Sequence, residues 1–142
     1  MNEARRISPL EAKALCDEGY VYLDVRTEEE FAAGHPTGAQ NVPFLLAAPS
    51  GMTPNPDFMV VILAAYPSDK ALVIGCRSGV RSLKAAAQMI AAGFSRIVDQ
   101  RAGYSGARSP FGQVTERGWV ESGLPTEQIT LGGSYAEVKA KR

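Results

Sequence analysis

The residues best able to do chemistry in this chain lie in one short run, Cys76-Arg77-Ser78-Gly79-Val80-Arg81. An apolar run precedes it and a segment of helical periodicity follows it, so the cysteine stands where a strand gives way to a helix. The first turn of a helix has backbone N–H groups without partners and carries the positive end of the helix dipole. An anion is stabilised there. If the loop curls so that its N–H groups point inward, they cradle the Cys76 sulfur, and Arg77 and Arg81 add positive charge. Such surroundings favour a thiolate, and hence a nucleophile. Gly79 supplies the positive φ or close backbone approach that a curled loop needs. A free cysteine can also be simple buried filler. Two arginines, a serine and a glycine directly after it point instead to reactivity.

The elements around this run must hold it in place. Ala71 to Gly75 is apolar without alternation, as in a strand covered on both faces of a parallel sheet. The following helix is expected to run to about Ala92, burying Leu83, Ala86, Ala87 and Ile90 and ending at Gly93. Upstream, residues 1–7 end in Ala-Arg-Arg-Ile, a short edge strand. Ser8, Pro9 and Glu11 then spell a capped helix start, and Gly19 stops that helix. Tyr20 to Val25 is a strand with Asp24 and Arg26 at its carboxyl end. Strand ends share one rim in open α/β sheets, which places these two residues and Cys76 around the same crevice.

Thr27, Glu30 and Gly34 frame a second short helix, and Ala39 to Val42 is a short strand. Pro43 to Pro56 is expected to loop with one helical turn. Asp57 to Tyr66 fits a helix capped by Asp57 and stopped by Pro67. Ser95 to Val98 is a last strand, and the alternation of strands with helices argues for a parallel sheet with helices on both faces. Gly103 to Gly118 reads as a long surface loop, Trp119 as its anchor to the core, and residues 132–142 as a polar, flexible tail.

A chain of 142 residues suffices for one domain, here 1–142 with a core of about 5–127. Its formal charge is zero, so neither nucleic acid nor a membrane surface is expected as a partner. No apolar segment has bilayer length and no secretory signal is read at the amino terminus, so the protein is expected in the cytoplasm. Its two cysteines do not make a disulfide framework, and Cys16 is expected to be a packed thiol on an amphipathic helix. With a single histidine, no zinc-type cluster is expected, and His35 among glycines and prolines is read as fixing a turn.

Taken together, the chain from about Ile7 to Pro125 resembles the rhodanese family of sulfurtransferases. The resemblance rests on Ile7-Ser8-Pro9, on Leu23-Asp24-Val25-Arg26 with Glu30-Phe31 and Gly34-His35 through Gly38-Ala39, on the loop C-R-S-G-V-R, and on Gly118-Trp119 with Gly123-Leu124-Pro125. It implies an open, five-stranded parallel α/β sheet with helices on both faces. It further implies that Cys76 attacks the sulfane sulfur of an anionic donor such as thiosulfate, forms a persulfide and passes that sulfur to cyanide, a cellular thiol or a protein acceptor. Loop N–H groups of residues 77–81 would stabilise the charge on sulfur, Arg77 and Arg81 would bind the sulfonate, and Asp24 and Arg26 would support the loop. No metal or organic cofactor is implied.

Phosphatase relatives place an arginine six positions after the cysteine. Here that position is Ser82, so phosphatase or arsenate reductase activity ranks below sulfur transfer. The other alternative is a persulfide carrier working within a protein relay. Glu30 stands where two-domain thiosulfate enzymes often have a donor-binding arginine. The family's usual Leu-x-Gly-Gly followed by tryptophan is here Gln100-Arg101-Ala102-Gly103 with Ala107. The wall there is expected to be reshaped, either with Arg108 or Tyr104 contributing or with a solvated loop.

Overall fold

In the computed structural model, which describes residues 4–141, the apolar runs become strands of one parallel sheet. Along the chain the elements are β1 (Arg5–Ile7), α1 (Pro9–Asp17), β2 (Val21–Asp24), α2 (Glu28–Ala33), β3 (His35–Pro36), β4 (Gln40–Asn41), β5 (Leu45–Ala48), β6 (Gly51–Pro54), α3 (Phe58–Ala65), β7 (Leu72–Gly75), α4 (Val80–Ala91), β8 (Ile97–Gln100), β9 (Ala107–Arg108), β10 (Val114–Glu116), β11 (Thr126–Glu127) and α5 (Tyr135–Lys139). The main sheet has five strands in the order β1-β8-β7-β2-β4, all paired in parallel. β7 is therefore central. Asp24 lies opposite Gly75 and Asp99 opposite Ile74, so Cys76 emerges between the carboxyl ends of β2 and β8.

Side chains alternate across the sheet, as the pleat requires. Leu23, Leu72 and Ile74 pack in one cluster with Val61 and Ile62 of α3, Ala85, Ala86 and Met89 of α4, and Val138 of α5. Tyr22, Val73 and Val98 pack in the other with Ala12 of α1, Phe31 of α2 and Trp119. Both faces are thus covered, which is why the central strand β7 is apolar throughout. The expected capping boxes are present at Ser8/Glu11 and Thr27/Glu30. α3 is a helix as expected, although the Asp57 side chain makes no capping hydrogen bond.

Four expectations need correction. α4 buries Ser82, Ala85, Ala86 and Met89, whereas Leu83 is 38% exposed, because the small residues let the helix lie close to the sheet and turn Ser82 toward Cys76. Residues 43–56 do not loop with a helical turn. They form the antiparallel hairpin β5–β6. Within 103–118, β9 and β10 likewise pair, with a register shift between Val114 and Glu116. The stretch expected to be a flexible tail folds as α5, capped by Ser134 and Glu137, with Tyr135 and Val138 buried against the core. Met1 to Glu3, part of the terminus read above as lacking a signal, lie outside the described residues, as does Arg142.

Candidate active site

β7 delivers the cysteine through a glycine because nothing larger fits: a Cβ on Gly75 would run into the Tyr22 hydroxyl. The chain then hooks back at Gly79, whose φ of +93° is the left-handed conformation that favours glycine, and α4 starts at Val80. This hook brings two backbone donors to one sulfur. Cys76 Sγ accepts from the Gly79 N–H at 3.1 Å and from the Ser82 N–H at 3.3 Å, with Ser82 Oγ 3.4 Å away. Cys76 is only 2% exposed, so these dipoles act in a poorly solvated place.

The loop is held from several sides. Arg6 of β1 donates to the Gly79 carbonyl at 2.7 Å and to Asp99 Oδ2 at 2.7 Å. The Tyr104 N–H donates to the Cys76 carbonyl at 2.8 Å, and the Ser105 N–H to the Arg77 carbonyl at 2.9 Å. Gln100 shapes that wall: its side-chain oxygen accepts from the N–H groups of Ala102 and Gly103, both at 2.8 Å, and its amide donates to the Gly103 carbonyl at 2.9 Å. The departure from the family's Leu-x-Gly-Gly is thereby explained in part. A polar side chain now ties the turn from inside.

Asp24 and Arg26 lie at the same rim. The Arg26 guanidinium donates to Asp24 Oδ2 at 2.7 Å from Nη2 and to both Asp24 oxygens at 3.0 Å from Nε, donates to the Gly34 carbonyl at 2.7 Å, and lies 4.2 Å from the centre of the Tyr104 ring. Tyr104 thus connects the pair to the loop. It also lines a cavity of about 290 Å³ together with Arg26, Glu30, Gly34, Arg77 and Ser105. Arg108, the other residue weighed for this wall, is exposed and donates to the Ser105 carbonyl of its own hairpin at 3.2 Å.

The loop arginines part company. Arg81 is expected from sequence to bind a donor's sulfonate, but both arms of its guanidinium are taken by Glu30, at 2.7 and 3.0 Å. Burial alone would raise the Glu30 carboxyl; the Arg81 hydrogen bonds and the Thr27 N–H outweigh it and bring it down to about 2. Arg77 is exposed, lines the cavity and makes no salt bridge among the described residues. Ser78 is half-exposed and Val80 is exposed. Sequence reasoning missed the bracing roles of Arg6, Gln100 and Asp99, which no local spacing signals.

Two other residues lie apart from this constellation. His35 is buried, stacked on Phe31, with its ring nitrogens 2.7 Å from the Phe31 carbonyl and 2.8 Å from the Thr130 hydroxyl, so it fixes the fold around α2. Cys16 is half-buried on α1, and burial pushes its thiol up to about 11, which favours the protonated form.

The class these features define is an α/β protein with a sheltered cysteine loop at the carboxyl rim of a parallel sheet. Residues 8–109 match the profile of the Rhodanese-like domain. The chain is 40% identical over 109 residues to thiosulfate sulfurtransferase 16, chloroplastic, of Arabidopsis thaliana, spanning 77% of this chain and 81% of that protein. It is 35% identical over 104 residues to the thiosulfate sulfurtransferase GlpE of Pseudomonas fluorescens (strain SBW25), spanning 73% and 84% of the two. The crystal structure of Rv0390 from M. tuberculosis superposes with a TM-score of 0.73 at 28% identity, covering 89% of this chain and 99% of that one. The chain belongs to the rhodanese-like family, and the names of its relatives support a sulfurtransferase activity.

Proposed function

We propose that this protein moves sulfane sulfur from thiosulfate or a similar anionic donor to a thiophilic acceptor through a persulfide on Cys76. The observation that carries the reading is the pair of backbone N–H groups, from Gly79 and Ser82, aimed at Cys76 Sγ. The thiolate attacks the outer sulfur of thiosulfate, the S–S bond of the donor breaks with its electron pair leaving on sulfite, and the new persulfide keeps one negative charge. The same N–H groups then face that charge, as an oxyanion hole does for oxygen. Cyanide or a thiolate takes the outer sulfur and returns Cys76 as a thiolate. Arg77, which lines the neighbouring cavity with Arg26 and makes no salt bridge among the described residues, is the cation we assign to an approaching anionic donor.

A second reading, a carrier that takes persulfide sulfur from another protein, draws support from the Glu30–Arg81 pair, which withdraws one cation from a small anionic donor. One experiment separates the two. The intact mass of the protein is measured before and after thiosulfate, and again after cyanide or glutathione. A gain of one sulfur that is lost to the acceptor is expected for the unchanged chain and for Cys16→Ser, and no gain for Cys76→Ser. No gain from thiosulfate, but a gain from a persulfidated protein donor, would favour the carrier; equal loss in both cysteine variants would overturn the Cys76 persulfide altogether.

A further inference from the structure

His35, the chain's one histidine, is fully buried and takes no part in the sulfur-transfer steps. Its contacts can be counted proton by proton. Nδ1 lies 2.7 Å from the Phe31 carbonyl, which can only accept, so Nδ1 carries a hydrogen. Nε2 lies 2.8 Å from Thr130 Oγ1, and that oxygen lies 2.5 Å from Oε2 of Glu127, the residue opposite His35 in the β3–β11 pair. Each of these two contacts needs a proton between its heavy atoms, yet the Thr130 hydroxyl has only one to give. The second proton must belong to Glu127 or to His35.

Glu127 is the poorer source. It is half-exposed and also accepts from the Gly38 N–H at 2.8 Å, and the Thr130 hydroxyl, followed by that N–H, holds its carboxyl below the ordinary range. The rings point the same way independently. His35 and Phe31 stack with centroids 3.6 Å apart and planes 2° from parallel. Two neutral rings prefer offset or edge-on packing to such a sandwich, whereas a cation is drawn to the face of a phenyl ring. We propose that His35 is an imidazolium that donates to Thr130 while Thr130 donates to the Glu127 carboxylate, forming a proton-dependent clasp between α2 and the segment from β11 to Thr130. Without that proton His35 keeps only its Nδ1–H. Thr130 can then serve His35 or Glu127 but not both, and one joint of the clasp opens.

The clasp backs onto the donor cavity. Gly34, next to His35, accepts from Arg26 through its carbonyl at 2.7 Å and lines that cavity with Arg77. Rising pH thus unfastens the end of α2 that holds Arg26, which makes His35 a positioning residue that touches no donor. The charges on the surrounding elements suit a cation here. On α2, Glu28 and Glu29 are exposed and make no salt bridge among the described residues, and Glu30 is matched by Arg81. Arg26 at the end of β2 is matched by Asp24, and Lys13 of α1 by Asp17. On α5, Glu137 caps its own helix and Lys139 rests on the Tyr135 ring.

The test needs no sulfur donor, so its failure leaves the sulfur-transfer reading standing. With one histidine in the chain, long-range proton–nitrogen NMR of the full labelled protein reports the two ring nitrogens of His35 alone. At pH 7 both are expected to be protonated in the unchanged chain. Thr130→Val and Glu127→Gln are each expected to leave Nε2 bare at that pH, and Thr130→Ser to keep it protonated. As pH is raised on the unchanged chain, the amides of Gly38 and of residues 127–130 and the Arg26 Nε–H are expected to shift in step with Nε2. A bare Nε2 at pH 7 in the unchanged chain, a protonated Nε2 that survives Glu127→Gln, or amides that stay still while Nε2 titrates overturns the clasp. Should Thr130→Val fail to fold, Glu127→Gln at its half-exposed position decides.

Discussion

Arg81 and Arg77 share one loop, and their surroundings decide what each does to a donor. Arg81 is held in a two-armed pair with Glu30, so its charge is already matched and its main effect is to tie the loop to α2. Arg77 is exposed on the cavity and keeps its charge for an incoming anion. Arg77→Ala is therefore expected to raise KM for thiosulfate about two- to fivefold, as fits an exposed charge contact, with little change for an uncharged organic polysulfide. Arg81→Ala should lower kcat for both donors alike, because it loosens the loop. Steady-state kinetics with the two donors checks both, and a thiosulfate-selective KM effect in Arg81→Ala would reverse the assignment. Glu30 adds a pH signature. Its carboxyl titrates at about 2 in the fold against an ordinary 4.5, so the pair's contribution is complete above about pH 4.5 and is lost as pH falls toward 2. The pair is partly exposed and screened, so the contribution is on the order of 1 kcal/mol. Urea unfolding across that window should show Glu30→Gln less stable than the unchanged chain at pH 7 and level with it near pH 2.

Among the elements, α5 is where a prediction bears most directly on the extent of the domain. Val138 is fully buried against the cluster that includes Val61 and Ile62, so Val138→Ala is expected to cost about 1–2 kcal/mol in urea unfolding with an unchanged m-value. No loss of stability would mean that the terminal helix is not part of the cooperative unit. α5 also shows what a sequence reveals. Its capping box, Ser134 followed by Glu137, is the same local signal that makes the starts of α1 and α2 legible, but the polar composition around it argues the other way. Local signals suffice for the strand ends at Asp24 and Gly75 and for the loop at Cys76 and Gly79, because residue type and spacing there are dictated by neighbours in the chain. β5–β6 is less legible: prolines and glycine suit many turns, and only the antiparallel pairing of Leu45–Ala48 with Gly51–Pro54 makes them a hairpin. The contacts that brace the site, Glu30 to Arg81, Arg6 to Gly79 and Arg26 to the Tyr104 ring, join residues distant in sequence. Nothing in local composition specifies them.

At the scale of the whole molecule, the balance of charge sets how a donor finds the site. The chain carries 15 basic and 15 acidic residues, so it projects no strong net field to draw anions from a distance. Near the loop, Arg26 is matched by Asp24 and Arg81 by Glu30, and the cationic character of the cavity comes from Arg77. On the proposed function, attraction of thiosulfate is then expected to be local, arising within about one Debye length, roughly 10 Å at 0.1 M salt. The value of kcat/KM for thiosulfate is accordingly expected to fall by less than about tenfold from low salt to physiological salt, well short of the range seen with strongly steered association. Arg77→Ala should flatten what dependence there is, whereas Lys84→Ala, on the exposed side of α4, should leave it unchanged. A steep salt dependence that survives Arg77→Ala would mean that charges spread over the molecule guide the donor. The cavity's own cation would then be secondary, and specificity for anions would have to be sought in the rest of the surface.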